Sequence, residues 1–451
     1  MTITEDDRTT GAAEPAEADP RWHLSGNFAP VTEELDAGDL EVEGTIPPEL
    51  NGVYLRNGFN PVNGESDHWF FGHGMIHGID LADGRASYRN RYVRTPYFEA
   101  GGTSVSLDPV ASPANTHVVQ HAGRILALEE VHYPWEIDID LNTIGVQTFG
   151  DRLAGAFTAH PKICPTTGEM LAFGYNVLGP EYLRYYRFSA DGELVQSEPI
   201  TLPTGVMMHD FNITANYVVW MDLPVCFDLE LAMKGESPFY WNPDNGARLG
   251  VMPRTGTDAD IRWFDIDPCY VFHPVNSHEE GDSIVLTVCR AERAMKGGFN
   301  DISAKASLWQ WTINLALGTV SEVEIDSRKS DFARVDDRRL GLPARYGYTM
   351  QLGNNPHNPE MGTEIYKYDM TTGVAEVHDM AAVTGGEALF VPRSPDSAED
   401  DGWAMLLAYD PTTHRSELRI IDAQNFSGPP VARVFTPQRV PYGAHGSWLP
   451  R

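Results

Sequence analysis

The sequence predicts an all-β protein, and within that class a β-propeller. Three observations carry the prediction. From about residue 30 onward the chain reads as short strand-like runs punctuated by turns, with little helical periodicity between them. The runs pair as hairpins through to the C-terminal region, and repeated hairpins without intervening amphipathic helices suggest radial repetition. Four histidines, His160, His209, His273 and His445, each lie beside such a run yet far apart in sequence. A closed β-architecture aims side chains from such distant segments at one central point.

The elements follow in order. Residues 1–26, rich in Thr, Ala, Glu, Asp and Pro, read as a disordered acidic leader. Residues 27–451 read as one propeller domain, since no linker interrupts them. The clearest hairpin runs from Met75–Leu81 through Ala82-Asp83-Gly84 into Arg85–Val93. Similar units flank Pro165-Thr166-Thr167-Gly168, Ala190-Asp191-Gly192, Leu317-Gly318, Met370-Thr371-Thr372-Gly373 and Asp410-Pro411-Thr412-Thr413. Their Asp-Gly and Thr-Gly pairs supply the positive φ that tight hairpins require. Propeller blades repeat every ~40–50 residues, and these turns are too irregular to count blades by spacing. The segments Gly101–Asn115 and Asp228–Arg254 are long for hairpin loops and read as a cap or substrate entrance on one face.

Composition narrows the partners. Of 451 residues, 42% are hydrophobic, enough for a large packed core, and 64 acidic against 33 basic residues give a formal net charge of −31. That charge argues against nucleic acid and against broad adhesion to anionic lipid. It leaves room for transient membrane contact through a local patch, as uptake of an apolar substrate would require. No obligate protein partner is indicated. The four cysteines, Cys164, Cys226, Cys269 and Cys289, form no CxxC pair and read as buried free thiols. No apolar segment follows a basic start, and no run of about 18 apolar residues appears, so the expected location is cytoplasmic.

Fifteen histidines are present, and most must be something other than ligands. His23, His278, His378 and His414 stand in polar, loop-like surroundings and read as exposed. His68, His73 and His77 cluster among glycines that argue against a helix; they read as structural or cleft-lining. The windows around His160, His209, His273 and His445 are different. Apolar and aromatic neighbours would desolvate each imidazole and keep it neutral, as a ligand must be. His160 and His273 are followed by proline, which fixes the backbone at the ligand. Four neutral nitrogens without a thiolate suit Fe, Zn, Cu or Ni far better than Mg or Ca.

Read together, these windows resemble the iron-binding signature of the carotenoid cleavage oxygenase family, whose members include apocarotenoid and stilbene-cleaving enzymes. The resemblance runs from about Asn27 to the C-terminus. It takes in Gly44-Thr45-Ile46-Pro47-Pro48-Glu49-Leu50-Asn51-Gly52, Trp69 to His77, Ile261-Arg262-Trp263-Phe264, Glu387-Ala388-Leu389-Phe390-Val391-Pro392-Arg393 and Tyr442-Gly443-Ala444-His445-Gly446. It implies a seven-bladed propeller with Fe(II) on its axis, held by His160, His209, His273 and His445 beneath a loop and helical cap. Family members orient three of the four histidines through glutamates behind them. Glu130 and Glu387 match two of those positions, and the third falls at Asp331, where the family more often has Glu. Asp is one methylene shorter, so that contact is expected through a water or through an adjusted backbone.

The implied reaction is cleavage of a C=C bond by O2 into two carbonyl products, with no catalytic side chain beyond the metal centre. The implied partners are an apolar polyene or aryl alkene and O2. Phe59, Trp69, Phe70, Phe98, Trp135 and Phe239 are candidates for an aromatic substrate channel. Stilbene-cleaving relatives commonly carry Ala-Leu-Lys-Glu where this chain has Ala127-Leu128-Glu129-Glu130, and Glu129 does not stabilise a phenolate. A carotenoid or apocarotenoid is therefore favoured over a stilbene. Two other readings stay open at this level: a propeller that binds without catalysing, and a metal-dependent hydrolase.

Overall fold

Among the described residues of the computed structural model (21–177, 179–234, 238–295, 305–353 and 359–451), strands gather into seven sheets of four or five and one two-stranded ribbon. Every pairing is antiparallel between neighbours in a sheet, as hairpin after hairpin in the sequence implied. The hairpin around Asp83-Gly84 joins Gly74–Ala82 to Arg85–Tyr92. Both turn residues have positive φ, 51° and 72°, the mirror-image turn that matches strand twist. Gly168, Gly192, Gly318 and Gly373 serve four of the five other anticipated turns with φ between 71° and 84°, and at the fifth His414 takes φ 57°.

The seven sheets are the blades of a propeller. In chain order their first, axial strands are His117–His121, Lys162–Ile163, Asn212–Ile213, Tyr270–Glu280, Ser330–Val335, Leu389–Pro392 and Gly446–Pro450. The last of these belongs to the blade begun at the other end of the chain. Gly446–Pro450 pairs with Gly52–Phe59, from Gly52↔Pro450 to Arg56↔Gly446. A second tie adds Val42–Gly44 to Ala432–Phe435. The ring is thus closed twice by strands from opposite ends of the chain. Gly446 must be glycine here, because a Cβ would run into the Leu55 carbonyl.

Burial follows the radius of the wheel. Interior strands such as Gly52–Phe59 are buried at every position, since neighbouring blades cover both faces. Outer strands such as Thr319–Asp326 alternate and leave their polar side in water. The largest apolar cluster joins Phe173, Phe211, Trp220 and Trp311 across the third, fourth and fifth blades, with Phe211 stacked on Trp220 at 5.5 Å and 13°. The two α-helices among the described residues, Pro96–Glu99 and Leu229–Met233, sit in the long excursions between strands. None is long and apolar enough to cross a membrane.

Several sequence expectations change. Residues 1–20 of the proposed leader lie outside the described residues. Residues 21–26 instead form short turns, with Trp22 packed on Phe28 at 4.8 Å and Trp69 at 5.8 Å. His23 is buried and its Nε2 meets the Ser66 carbonyl at 3.0 Å, not exposed as its polar neighbours suggested. His378 is also buried: it shares the parity of exposed Val374 and Glu376, but Phe426 covers it, and its Nδ1 meets the Phe426 carbonyl at 3.0 Å. His278 is half-buried in the long strand Tyr270–Glu280, and His414 is exposed as read. His68, His73 and His77 are all buried, and the four cysteines are buried free thiols.

Candidate metal centre

Each blade delivers one functional side chain to the axis. His445 immediately precedes the axial strand of the first blade, and Glu130 follows Arg124–Leu128 of the second. His160 and His209 stand just before the axial strands of the third and fourth. His273 lies within that of the fifth, Asp331 within that of the sixth, and Glu387 just before that of the seventh. Proline after His160 and His273 biases the backbone of each histidine towards the extended region.

The four imidazoles converge. Their ligand atoms lie within 4.8 Å of one another and all four residues are buried. His160 Nε2 is 3.0 Å from His209 Nε2, His209 Nε2 is 3.2 Å from His273 Nε2, and His273 Nε2 is 3.1 Å from His445 Nε2. Behind them stand the three carboxylates anticipated from the sequence. Glu387 Oε1 lies 2.8 Å from His445 Nδ1 and Asp331 Oδ1 lies 2.9 Å from His273 Nδ1. Glu130 Oε1 abuts His209 Nδ1 as a close ion-pair contact, without hydrogen-bond alignment. His160 has no such partner; its Nδ1 is 3.7 Å from Asp210, whose other oxygen is 2.7 Å from Lys162.

This arrangement fits a bound cation. An Nδ1 that faces a carboxylate carries the proton, so its Nε2 presents a lone pair to the centre. Lone pairs at 3.0–3.2 Å cannot all hydrogen-bond to one another, and in a buried site they repel. Two imidazole nitrogens held about 2.1 Å from one metal at right angles stand about 3 Å apart, which is the spacing seen here. Burial, reinforced by the neighbouring imidazoles, pushes His160 well below the ordinary histidine range, and burial does the same to His445. Burial also opposes charge on His209, yet Glu130 outweighs it and raises that histidine. Burial alone would raise Glu387, but Arg334 and His445 hold its carboxyl well below the usual carboxylate range.

The sequence did not single out the supports of the carboxylates. Tyr175 donates to Glu130 at 2.8 Å, and the Gly446 N–H donates to Glu387 at 3.0 Å. Arg334 Nη1 reaches Glu387 at 3.4 Å. Asp210 follows His209 and Lys162 lies two residues after His160, a charge pair legible in the sequence beside two proposed ligands. His117 had no such signal. The aromatic candidates do not form one group. Phe59, Trp69 and Phe70 pack together at 4.6–5.8 Å. Trp135 is buried in a separate cluster of the first two blades, its indole N–H donated to Val110 O at 3.1 Å. Phe98 packs on Tyr92 at 5.0 Å, and Phe239 on Phe227 at 5.4 Å.

Known proteins resemble this chain in sequence and fold. A family model described as retinal pigment epithelial membrane protein matches residues 28–450. The chain is 38% identical to the carotenoid cleavage oxygenase of Mycobacterium tuberculosis, across 95% of this chain and 97% of that protein. The crystal structure of Pseudomonas brassicacearum lignostilbene dioxygenase superposes with a TM-score of 0.87 at 28% identity, covering 97% of this chain and all of that one. Cobalt-substituted Synechocystis ACO superposes with a TM-score of 0.82 at 27% identity, covering 94% and 97%. With a match across nearly its whole length, the chain belongs to the carotenoid cleavage oxygenase family.

Proposed function

We propose that the chain is a non-haem Fe(II) dioxygenase that cleaves a C=C bond of a carotenoid or apocarotenoid with O2, giving two carbonyl products. The observation that carries this reading is the meeting of four buried imidazoles at one point on the propeller axis. A ferrous ion held by His160, His209, His273 and His445 would supply a place to bind and activate O2 beside the alkene. The protein's own part is geometric. Glu130, Asp331 and Glu387 fix ring orientation and tautomer, and the surrounding blades keep bulk water away. No general acid or nucleophile is needed, in keeping with a site composed of imidazoles and the carboxylates behind them.

Glu129 supports a carotenoid over a stilbene. Its carboxylate takes the Val131 N–H at 3.0 Å and lies 2.6 Å from His132 Nδ1. Burial would raise Glu129, but His132 outweighs it and keeps the group an anion. With its carboxylate engaged by His132, Glu129 offers a phenolate no stabilisation where stilbene-cleaving relatives commonly offer a lysine. The stilbene alternative draws on the likeness to lignostilbene dioxygenase. Incubation with carotenoids, apocarotenals and stilbenes under 18-O2, with products read by mass, tests both. Label in both carbonyl fragments of a polyene is the expected result. Cleavage of stilbenes alone would move the assignment to the alternative, and turnover without label would refute an oxygenase.

A further inference from the structure

His117 opens the axial strand of the second blade, one of the three that bring no histidine to the candidate centre. It is buried, and its ring lies 5.9 Å from that of His160 and 5.3 Å from that of His445. Its nitrogens do not turn to the metal centre. Nδ1 meets the carbonyl of Ala159 at 2.8 Å, and Nε2 meets the carbonyl of Gly446 at 3.2 Å. Ala159 precedes one proposed ligand and Gly446 follows another, so the neutral imidazole, with one N–H to donate, sits between the backbones of two blades directly beside those residues.

The surrounding bonds reinforce the bridge. The His445 N–H donates to Thr116 O at 3.0 Å, and the Asn57 side-chain amide donates to His117 O at 3.0 Å. Gly446 O also accepts from Arg334 Nη1 at 3.2 Å, and Arg334 reaches the Glu387 that orients His445. The His160 and His445 rings stand 4.6 Å apart at 79° across this bridge. Lengthening or removing it alters the angle between those two rings without touching a ligand.

We infer that His117 is a positioning residue that sets the His160–His445 geometry, and with it the affinity and ligand field of the metal. The inference rests on the four-imidazole reading above. Substitutions that keep bulk but not polarity separate it from a packing role. Metal-depleted full-length His117→Phe is expected to bind Fe(II) and Co(II) about 10–100-fold more weakly than the parent. Its visible Co(II) ligand-field bands are expected to shift, while the metal-free protein melts near the parent temperature. His117→Gln, which restores an N–H donor between the two carbonyls, is expected to recover both affinity and bands. Parental affinity and bands in His117→Phe would overturn the inference. Should that variant fail to fold, His117→Asn decides the point, since it is too short to span both carbonyls: shifted bands support the inference and parental bands sink it. The parent and His209→Ala are measured alongside. A parent that binds neither metal overturns the four-imidazole centre itself, whereas a parent that binds, with His209→Ala failing, leaves any failure at His117 to this inference alone.

Discussion

Asp331 meets His273 directly, its Oδ1 2.9 Å from the ring Nδ1. The shorter carboxylate reaches because the strand Ser330–Val335 bulges: register shifts between Asp331 and Arg334, and Phe332 adopts φ 53°. The Phe332 N–H donates back to Asp331 Oδ1 at 2.9 Å, and its ring stacks on His273 at 5.3 Å and 27°. A β-bulge is a usual way to re-aim a side chain beside a site. Of the two routes open from the sequence, the adjusted backbone is the one observed, with no intervening water required.

That fit predicts the consequence of restoring the longer residue. Asp331→Glu adds a methylene where the backbone has already moved in, so it should crowd His273 and lower iron retention several-fold. Asp331→Asn keeps the length but removes the charge, and should cost roughly 10–100-fold. Iron per chain after dialysis against a weak chelator measures both. Full retention in Asp331→Glu would show that the bulge is not fitted to the shorter side chain.

His209→Ala removes the ligand raised by Glu130 and leaves that buried carboxylate without its partner. Loss of iron and of cleavage together is expected, read by metal analysis and product mass. Full activity at normal iron loading would refute the ligand set.

The Glu129–His132 pair should stabilise the fold over a defined pH window. Burial disfavours both charges, but each partner overcomes it, so Glu129 falls below its ordinary 4.5 and His132 rises above its ordinary 6.5. The Glu129 contribution is complete above pH 4.5 and fades as pH drops through its lowered value. The His132 contribution is complete below pH 6.5 and fades as pH rises through its raised value. Denaturation of Glu129→Gln should therefore show its greatest deficit between pH 4.5 and 6.5, about 1–3 kcal/mol, and a smaller one near pH 9. A deficit that grows with pH would contradict the pairing.

Cys164 should stand apart from the other cysteines. Burial is outweighed by the Thr166 and Thr167 hydroxyls and the Arg254 guanidinium, lowering its thiol to about 6. Burial pushes Cys226 up to about 11, Cys269 to about 12, and Cys289 well above the ordinary range. The thiolate is the reactive form and predominates above its pKa. A small alkylating agent near pH 7 should modify Cys164 first, and Arg254→Leu should slow that reaction, as peptide mass spectrometry would read. Equal labelling of all four sulfurs would oppose this.

Much of the fold was legible because it is local. Turn pairs such as Asp83-Gly84 announce positive φ, and strand-like runs on either side leave little choice but a hairpin. The histidine windows were legible because each of the four converging residues lies just before, or within, an axial strand, where apolar flanks and proline leave a mark in sequence. What stayed hidden is long-range. The burial of His23 and His378 depends on Ser66 and Phe426, both more than forty residues away. The role of His117 depends on carbonyls 42 and 329 residues distant, and carbonyls carry no sequence signature at all. The bulge at Phe332 was likewise unreadable, since phenylalanine is a poor candidate for a left-handed conformation.

The pairing of Gly446–Pro450 with Gly52–Phe59 also fixes when the site can exist. During synthesis the strand that locks the ring emerges after all six other blades, and His445 emerges immediately ahead of it. A growing chain therefore holds at most three of the four imidazoles and an open wheel, with interior edges such as Gly52–Phe59 lacking a partner. The meeting of the four imidazoles and the closure of the ring therefore come together, late in synthesis.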